Sequence, residues 1–301
     1  MIKKLYRYLL LPLLGLLSLT PAIGQKNAAQ KKKLPAKEVN SLLWKISRKG
    51  VSEPSYLFGT IHLICADDYI WTPAMQARFD QTKALYLELN LDDPGLMSSA
   101  AMMMMDLSGK TLRDYFRNEA DYELVAGYIR DSLHQELALF ERMKPVALYL
   151  MYSNGLGSAP CKETVSYELK LAELARDKQR PVNGLETLAE QMKVLEHIPT
   201  DTIINQILRV AKGQDNDASE MTQLVNAYKK QDLAALDNLM NEATAEGLNG
   251  EELIDQRNRN WIAGIGKAMN AQPTFFAVGA GHIPGLLRLL RSEGYSVEAV
   301  K

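Results

Sequence analysis

Apolar and polar positions alternate near both ends of the chain, which predicts strands there. Alternation is clear over 41–47 and 55–61, and the turn-rich segment 48–54 between them indicates a β-hairpin. Further short apolar or alternating runs predict the remaining strands, over 84–91, 180–184, 274–278 and 295–300.

The middle of the chain follows a helical period, with apolar residues every three or four positions. Pro73 and Pro284 each open a helix, because proline fits the first helical turn, and Gly294 ends the second of these helices. The pattern predicts helices over 73–82, 94–105, 118–133, 136–142, 145–156, 163–177, 185–196, 200–213, 218–230, 232–246 and 249–270, with a last one from 284 to 294. Strands at both ends and a helical middle predict an α/β fold, a mixed β-sheet with a large helical insertion.

The N-terminal residues are predicted to lie outside this domain. Residues 1–24 combine a basic start, an apolar stretch over 9–19 and a small-x-small site at 22–24, the pattern of a secretory signal peptide. A retained N-terminal anchor is the alternative. Residues 25–38 are polar and basic and indicate a disordered linker, so that 39–301 forms a single domain. The expected location is periplasmic or extracellular.

Composition narrows the possible partners. Removing the signal takes three of the 35 basic residues and none of the 36 acidic ones, so the remaining chain carries a net charge of −4. This charge argues against nucleic acid, and no later run is apolar enough to span a bilayer. Cys65 and Cys161 either pair in an oxidising compartment or stay as two free thiols, and we take Cys65 as structural.

Two short motifs carry the candidate chemistry. Each is a Gly-x-x-His at the end of a predicted strand, Gly59–His62 and Gly279–His282, and together they hold two of the chain's four histidines. Imidazole is the commonest metal ligand in proteins and the usual general base. Glu88, on the polar side of the predicted third strand, would complete a three-ligand site with room for water, or would act as the base. Taken singly, each of these residues has a structural interpretation.

Other polar residues have ordinary interpretations as well as functional ones. Arg257 binds a substrate carboxylate, holds Glu88 or Glu186, or lies on a solvated helix face. Glu186 is predicted early in a helix, where its charge suits the N-terminus. His134 is expected to face solvent, and His197 to interact with the last carbonyls of a helix.

The chain resembles the TraB/GumN family, which includes the Tiki proteases, over nearly all of 39–301. The resemblance rests on the order and spacing of motifs, which are Leu43-Trp44-Lys45-Ile46, Tyr56 to His62, Leu87-Glu88-Leu89, Gly184-Leu185-Glu186-Thr187, Arg257-Asn258 with Trp261, Val278 to His282, and Gly294-Tyr295-Ser296-Val297. It implies a mixed α/β fold related to the erythromycin-esterase and ChaN-like proteins. One segment departs from the family pattern, because 164–168 lacks the usual aspartate after a glycine.

The resemblance also implies a chemistry. In the Tiki branch the activity is proteolysis that depends on a metal, manganese or cobalt by resemblance, with zinc or iron as further candidates. We therefore hypothesise an exported metal-dependent hydrolase acting on peptide bonds. His62, Glu88 and His282 would be the metal ligands, Glu88 serving alternatively as the base, and Arg257 would position substrate or stabilise negative charge. The alternatives are a non-catalytic peptide- or haem-binding protein and an accessory protein of surface-polysaccharide assembly.

Overall fold

The part of the chain described here excludes the predicted signal peptide and linker. The computed structural model describes residues 40–153, 161, 163–214, 217–245 and 250–301. The predicted signal peptide over 1–24 and the predicted linker over 25–38 therefore lie outside the described residues.

A six-stranded mixed β-sheet lies at the centre of the described residues. Its strands are β1 (Leu43–Ser47), β2 (Ser55–Thr60), β4 (Ala84–Leu87), β6 (Val182–Gly184), β7 (Thr274–Gly279) and β8 (Ser296–Ala299), and a separate two-stranded sheet contains β3 (Ile64–Cys65) and β5 (Thr164–Val165). The order in the large sheet is β6-β4-β7-β2-β1-β8. Strands β6, β4, β7 and β2 run parallel, whereas β1 pairs antiparallel with both β2 and β8. The predicted β1–β2 hairpin and the α/β class are confirmed.

Eleven α-helices lie within the described residues, most of them between β4 and β7. They are α1 (Pro73–Asp80), α2 (Leu96–Met104), α3 (Glu119–Gly127), α4 (Pro145–Ser153), α5 (Tyr167–Asp177), α6 (Leu188–Glu196), α7 (Thr200–Ala211), α8 (Asp217–Lys229), α9 (Leu233–Ala245), α10 (Arg257–Ala271) and α11 (Ile283–Ser292). Short π-helical segments continue α3 over Tyr128–Ser132 and precede α10 over Glu251–Gln256. None of the described helices is both long and apolar enough to cross a bilayer.

Burial explains why the central strands form where they do. Strands β2 and β7 are buried at all six of their positions, which is typical of parallel strands covered on both faces. Phe58, Phe275 and Trp261 belong to the hydrophobic cluster around the sheet. A second cluster, which includes Ile129 and Ile207, fills the helical part. The sheet is thus a buried support, and chain segments leave it at the ends of its strands.

Several predicted boundaries are wrong, each because pairing or capping starts or stops the element elsewhere. The third strand ends at Leu87 and not at 91, so Glu88 lies just beyond it. The helix predicted from 163 begins at Tyr167, because 164–165 pairs with β3 as β5. The helix predicted from 185 begins at Leu188, where Thr187 supplies the N-cap.

A disulfide bond joins Cys65 to Cys161, two positions separated by 96 residues along the chain. The bond lies beside the β3–β5 ladder, in which Cys65 is opposite Thr164. Of the two states that the sequence allows, the structure shows the paired one. The bond and the ladder hold the segment after His62 against the segment that begins α5.

Candidate functional site

The two Gly-x-x-His motifs and Glu88 meet because they follow three neighbouring parallel strands. Strand β7 pairs with β2 on one side, where Gly279 is opposite Thr60, and with β4 on the other. His62, Glu88 and His282 each come one to three residues after these strands end. Carboxyl ends of parallel strands share one edge of the sheet, which is where ligands bind in such folds.

Gly59, the glycine of the motif at the end of β2, permits a close approach between the two motifs. A Cβ atom at Gly59 would lie 2.9 Å from Cγ1 of Ile283 and 3.1 Å from the Cα atom of Ala280. Gly279 has a φ of −50°, which any residue can adopt. The glycine at position 59 is therefore needed for close packing between the motifs, and Gly279 makes no special turn.

Glu168 holds His62. Nδ1 of His62 lies 2.8 Å from Oε1 of Glu168, and both side chains are buried. Thr60 Oγ1 donates to the same oxygen at 2.6 Å, and Ser166 Oγ donates to the other at 3.1 Å. Burial opposes ionisation of Glu168, but the charge and hydrogen bonds of His62 and Thr60 outweigh it and lower the pKa. An ionised carboxylate only accepts, so Nδ1 of His62 carries the proton.

Asn258 and Arg257 hold His282. Its Nδ1 lies 2.8 Å from Oδ1 of Asn258, and its Nε2 lies 3.2 Å from Nη1 of Arg257. A guanidinium has only donors, so Nε2 accepts and Nδ1 carries the proton. Burial and then the Arg257 charge lower the pKa of His282 to about 3, which keeps the ring neutral. The Trp261 ring packs against the imidazole, with centroids 4.5 Å apart.

Arg257 connects two of the three buried acidic residues of the site, Glu88 and Glu186. Its Nη2 donates to Glu88 Oε2 at 2.5 Å and to Glu186 Oε1 at 2.5 Å, and its Nε donates to Glu186 Oε2 at 3.1 Å. Glu88 Oε1 also accepts from the backbone N–H of Gly279 at 2.8 Å. The guanidinium is 2 % exposed, so these charges face one another with little solvent between them.

The surroundings separate the pKa values of the two acids. Burial opposes ionisation of Glu88, yet the charge of Arg257 lowers its pKa to about 2. For Glu186 burial dominates and raises the pKa, although Arg257 opposes it. Burial lowers the pKa of His62, but Glu168 outweighs it, and the net effect is a raised pKa. Glu88 and Arg257 also act on the pKa of His62, so the four predicted site residues belong to one buried electrostatic cluster.

The side chains as they stand do not surround a common ion position. Among the described residues, no three His, Cys, Asp or Glu groups are placed to hold a metal. His282 Nε2 lies 3.9 Å from Glu88 Oε1, but Nη1 of Arg257 contacts the same ring nitrogen. The donor chemistry nevertheless fits a divalent ion, because both imidazoles are held at Nδ1, which leaves Nε2 as the ring nitrogen that could bind an ion.

The remaining sequence interpretations have mixed outcomes. Glu186 lies one residue before the N-cap of α6, so its predicted position within the helix is wrong, and it binds Arg257 and Trp261. His197 ends α6, and its backbone N–H donates to the last carbonyls as predicted, whereas its side-chain Nδ1 lies 3.0 Å from Glu252 Oε2. His134 is exposed, as expected, but lies outside any helix.

Sequence reasoning missed Glu168 and Asn258. Glu168 lies in the segment 164–168, which lacks the family's usual aspartate, and its carboxylate binds His62. Asn258 is part of the Arg257-Asn258 motif, in which only the arginine was considered. Both are side chains with an oxygen that can accept a hydrogen bond from Nδ1 of a histidine, and this property would have made them candidates.

Comparisons with known proteins agree on one family. The profile of the TraB/PrgY/gumN family matches residues 42–299. Metalloprotease TIKI1 of Danio rerio is 28% identical, with 88% of this chain and 64% of the relative covered. Metalloprotease TIKI2 of Danio rerio is 26% identical over 89% and 62%, and metalloprotease TIKI1 of Homo sapiens is 29% identical over 87% and 62%. The chain spans less than two thirds of the length of these relatives. No solved structure matches it.

Proposed function

The chain belongs to the TraB/PrgY/gumN family, and from this premise we propose that it is an exported, metal-dependent peptidase. The relatives described above are named metalloproteases, and such enzymes hold a divalent ion with nitrogen and oxygen ligands. The observation that carries the proposal is the convergence of two buried imidazoles, both held at Nδ1, with a buried carboxylate at neighbouring strand ends.

In this proposal His62, His282 and Glu88 would hold the ion, the two histidines by the ring nitrogen that is not held by a protein partner at Nδ1. Arg257 and the N–H of Gly279 stabilise the anionic form of Glu88, which favours the ligand role over that of a base. Manganese or cobalt is expected from the family, and zinc or iron would suit the same donors. A bound divalent ion supplies a water of lowered pKa and polarises the peptide carbonyl.

Arg257 has a second role in the proposed site. It holds Glu88 and Glu186 in place, and its guanidinium lies beside the Nε2 atom of His282. A substrate carbonyl oxygen bound at this position would receive a hydrogen bond from a fixed cation as negative charge develops on it. When a ligand takes the Nε2 lone pair of His282, Nη1 of Arg257 becomes available for that hydrogen bond.

Charge supports the choice of a divalent ion. The site holds three buried carboxylates: Glu88 and Glu186 face the guanidinium of Arg257, and Glu168 faces His62. When both imidazoles are neutral, as metal ligation requires, these carboxylates and Arg257 carry a net charge of −2. Buried charge without compensation is costly, and it is relieved by a proton or by a cation. One divalent ion would neutralise the group.

Peptide hydrolysis with and without metal tests the proposal. The purified protein is stripped with chelator, incubated with unmodified peptides and then supplied with Mn²⁺, Co²⁺, Zn²⁺ or Fe²⁺, with products read by mass spectrometry. We expect cleavage only with metal, and a loss of at least about 100-fold in His62→Ala and His282→Ala. His197→Ala, an exposed histidine at a helix end, is the matched control and should keep full activity.

Two outcomes would contradict the peptidase. Cleavage that persists in both histidine variants would place the chemistry elsewhere. A chain that cleaves nothing with any of the four ions but gives a Soret band on haem titration would support the binding-protein alternative. Export is tested separately, since N-terminal sequencing of protein from the periplasm or medium should begin at Gln25.

A further inference from the structure

The two motif histidines have chemically different partners, although their sequence motifs match. Nδ1 of His62 faces a carboxylate oxygen of Glu168, whereas Nδ1 of His282 faces the amide oxygen of Asn258, each at 2.8 Å. The second ring nitrogen of His282 also accepts a hydrogen bond from Arg257 at 3.2 Å. One motif therefore delivers two imidazoles into unequal surroundings.

The surroundings of Glu168 favour its ionised form, which only accepts hydrogen bonds. It is 1 % exposed, and the hydroxyl groups of Thr60 and Ser166 donate to its two oxygens. A carboxylate is a stronger acceptor than a neutral amide, and a carboxylate at Nδ1 increases the basicity of the opposite ring nitrogen.

Asn258 fixes the same tautomer without a charge. It is fully buried, and its Nδ2 donates to the backbone carbonyl of His282 at 3.4 Å, which orients Oδ1 toward the ring. A Cβ atom at Gly285 would collide with this amide, so the glycine leaves room for it. The Asn258 amide is thus held in place by its surroundings, and it is an uncharged hydrogen-bond partner for His282.

We infer that the paired histidines are unequal donors, with His62 made strong by Glu168 and His282 made weak by Asn258 and Arg257. Glu168 and Asn258 are positioning residues, because they act through the imidazoles. The inference rests on the proposed function for its metal, but the tautomers and the unequal hydrogen bonds belong to the metal-free chain.

Histidine NMR tests the metal-free part. The chain has four histidines, so ¹⁵N-labelled imidazoles give few signals, which single substitutions assign. We expect Nδ1–H tautomers at both His62 and His282, with the proton of His62 further downfield. Glu168→Gln should move the His62 proton toward the position of the His282 proton, and Asn258→Asp should move the His282 proton downfield. Glu252→Gln, which alters only the exposed His197 pair, is the control and should move neither signal.

Mn²⁺ titration of the same proteins tests the consequence for binding. Glu168→Gln should weaken Mn²⁺ binding by about 10–100-fold, the usual cost of losing such a partner. Asn258→Asp should leave the affinity unchanged or raise it, and Glu252→Gln should not change it. Thermal unfolding of each variant is measured as well, because a general loss of stability would weaken Mn²⁺ binding in Glu168→Gln and in Asn258→Asp alike.

The inference is overturned if His62 and His282 give equivalent Nδ1 protons, or if either ring carries its proton on Nε2. It is also overturned if Glu168→Gln and Asn258→Asp weaken Mn²⁺ binding equally. If Asn258→Asp fails to fold, the wild-type spectrum and Glu168→Gln still decide. Absence of Mn²⁺ binding in the wild-type chain would refute the proposed function with this ion, and the NMR signals would still decide whether the histidines are unequal.

Discussion

At the scale of single residues, Arg257 compensates the charges of two buried acidic side chains in the site. Its guanidinium faces Glu88 and Glu186, whose side chains are 4 % and 6 % exposed. Removing one partner of a buried ion pair leaves an uncompensated charge, which costs far more than losing a surface pair. Arg259, two positions along the same helix, instead makes an exposed pair with Glu251.

We expect Arg257→Met to lower the free energy of unfolding by about 3–5 kcal/mol, as measured by urea denaturation. Arg259→Met is the matched control, and its change should stay within about 0.5 kcal/mol. Adding Glu186→Gln to Arg257→Met should restore part of the lost stability, because one of the two carboxylates that lost their cation is then neutral. Equal stability of the two arginine variants would show that the buried network contributes nothing.

Asp106 gives a pH dependence away from the site. Ser108 donates its hydroxyl to the Asp106 carboxylate at 2.6 Å, and Tyr115 donates to the other oxygen. These bonds lower the pKa of Asp106 from 3.8 to about 2. A folded-state pKa below the unfolded value adds stability above about pH 4, and this stability is lost as the pH falls toward 2.

Asp106→Asn should therefore reduce stability at pH 6 by about 1 kcal/mol and have a smaller effect near pH 2. The measurement is urea denaturation at both pH values. Asp93→Asn, an exposed aspartate with a single local hydrogen bond, is the comparison and should change little at either pH. A loss at pH 2 as large as at pH 6 would contradict the assignment.

Three side chains of the candidate site could be predicted from the sequence, but the residues that hold the two histidines in place could not. His62 and His282 were found because their motifs repeat, and Glu88 because it is a lone acid among leucines. Their roles as ligands stay a prediction. Glu168 was missed because its partner lies 106 residues away, a distance over which spacing carries no information. Asn258 was passed over beside a more conspicuous arginine.

At the scale of elements, boundaries set by local signals were predicted well and those set by distant contacts were not. Thr72 caps α1 ahead of Pro73, and this helix begins where the proline indicates. The start of α5 depends instead on the pairing of β5 with β3, which no local pattern reveals. The predicted helix over 136–142 shortens to a 3₁₀ turn at Leu137–Leu139.

The β3–β5 ladder and the Cys65–Cys161 bond hold the segment after His62 against the segment before Glu168. We call this pair of contacts the clamp. Tyr167 strengthens it, since its hydroxyl accepts from the N–H of Ile70 at 2.8 Å and donates to the carbonyl of Ile70 at 2.9 Å. The disulfide closes a long loop, and such bonds restrict the unfolded chain.

We expect the double variant Cys65→Ala, Cys161→Ala to lose about 2–4 kcal/mol of stability in urea denaturation. Reductant should destabilise the wild-type chain by a similar amount and leave the variant unchanged, which is the internal control. The His62 Nδ1 proton should also broaden in the variant, because its carboxylate partner is less firmly held. Identical midpoints for oxidised wild type and variant would show that the clamp adds no stability.

At the scale of the whole molecule, the sheet and the helical part each have a hydrophobic cluster, and Leu91, shortly after Glu88, packs against both. Glu186, just before α6, and Arg257, the first residue of α10, complete the cluster of charges at the edge of the sheet. Because these groups come from distant parts of the chain, unfolding disperses the site. A ligand of the site must therefore stabilise the whole fold.

Metal should raise the global stability in proportion to its binding. At a free Mn²⁺ concentration 100 times the Kd, linkage predicts about 2.7 kcal/mol of added stability, or about 5–10 °C in Tm for a domain of this size. Chelator should reverse the shift. His62→Ala with His282→Ala should abolish it, whereas His197→Ala should retain it. The physical reason is the net charge of −2 carried by the buried carboxylates and Arg257, which only the folded chain assembles. A Tm unmoved by Mn²⁺, Co²⁺, Zn²⁺ and Fe²⁺, or moved equally in the double histidine variant, would mean that protons and Arg257 alone balance this site.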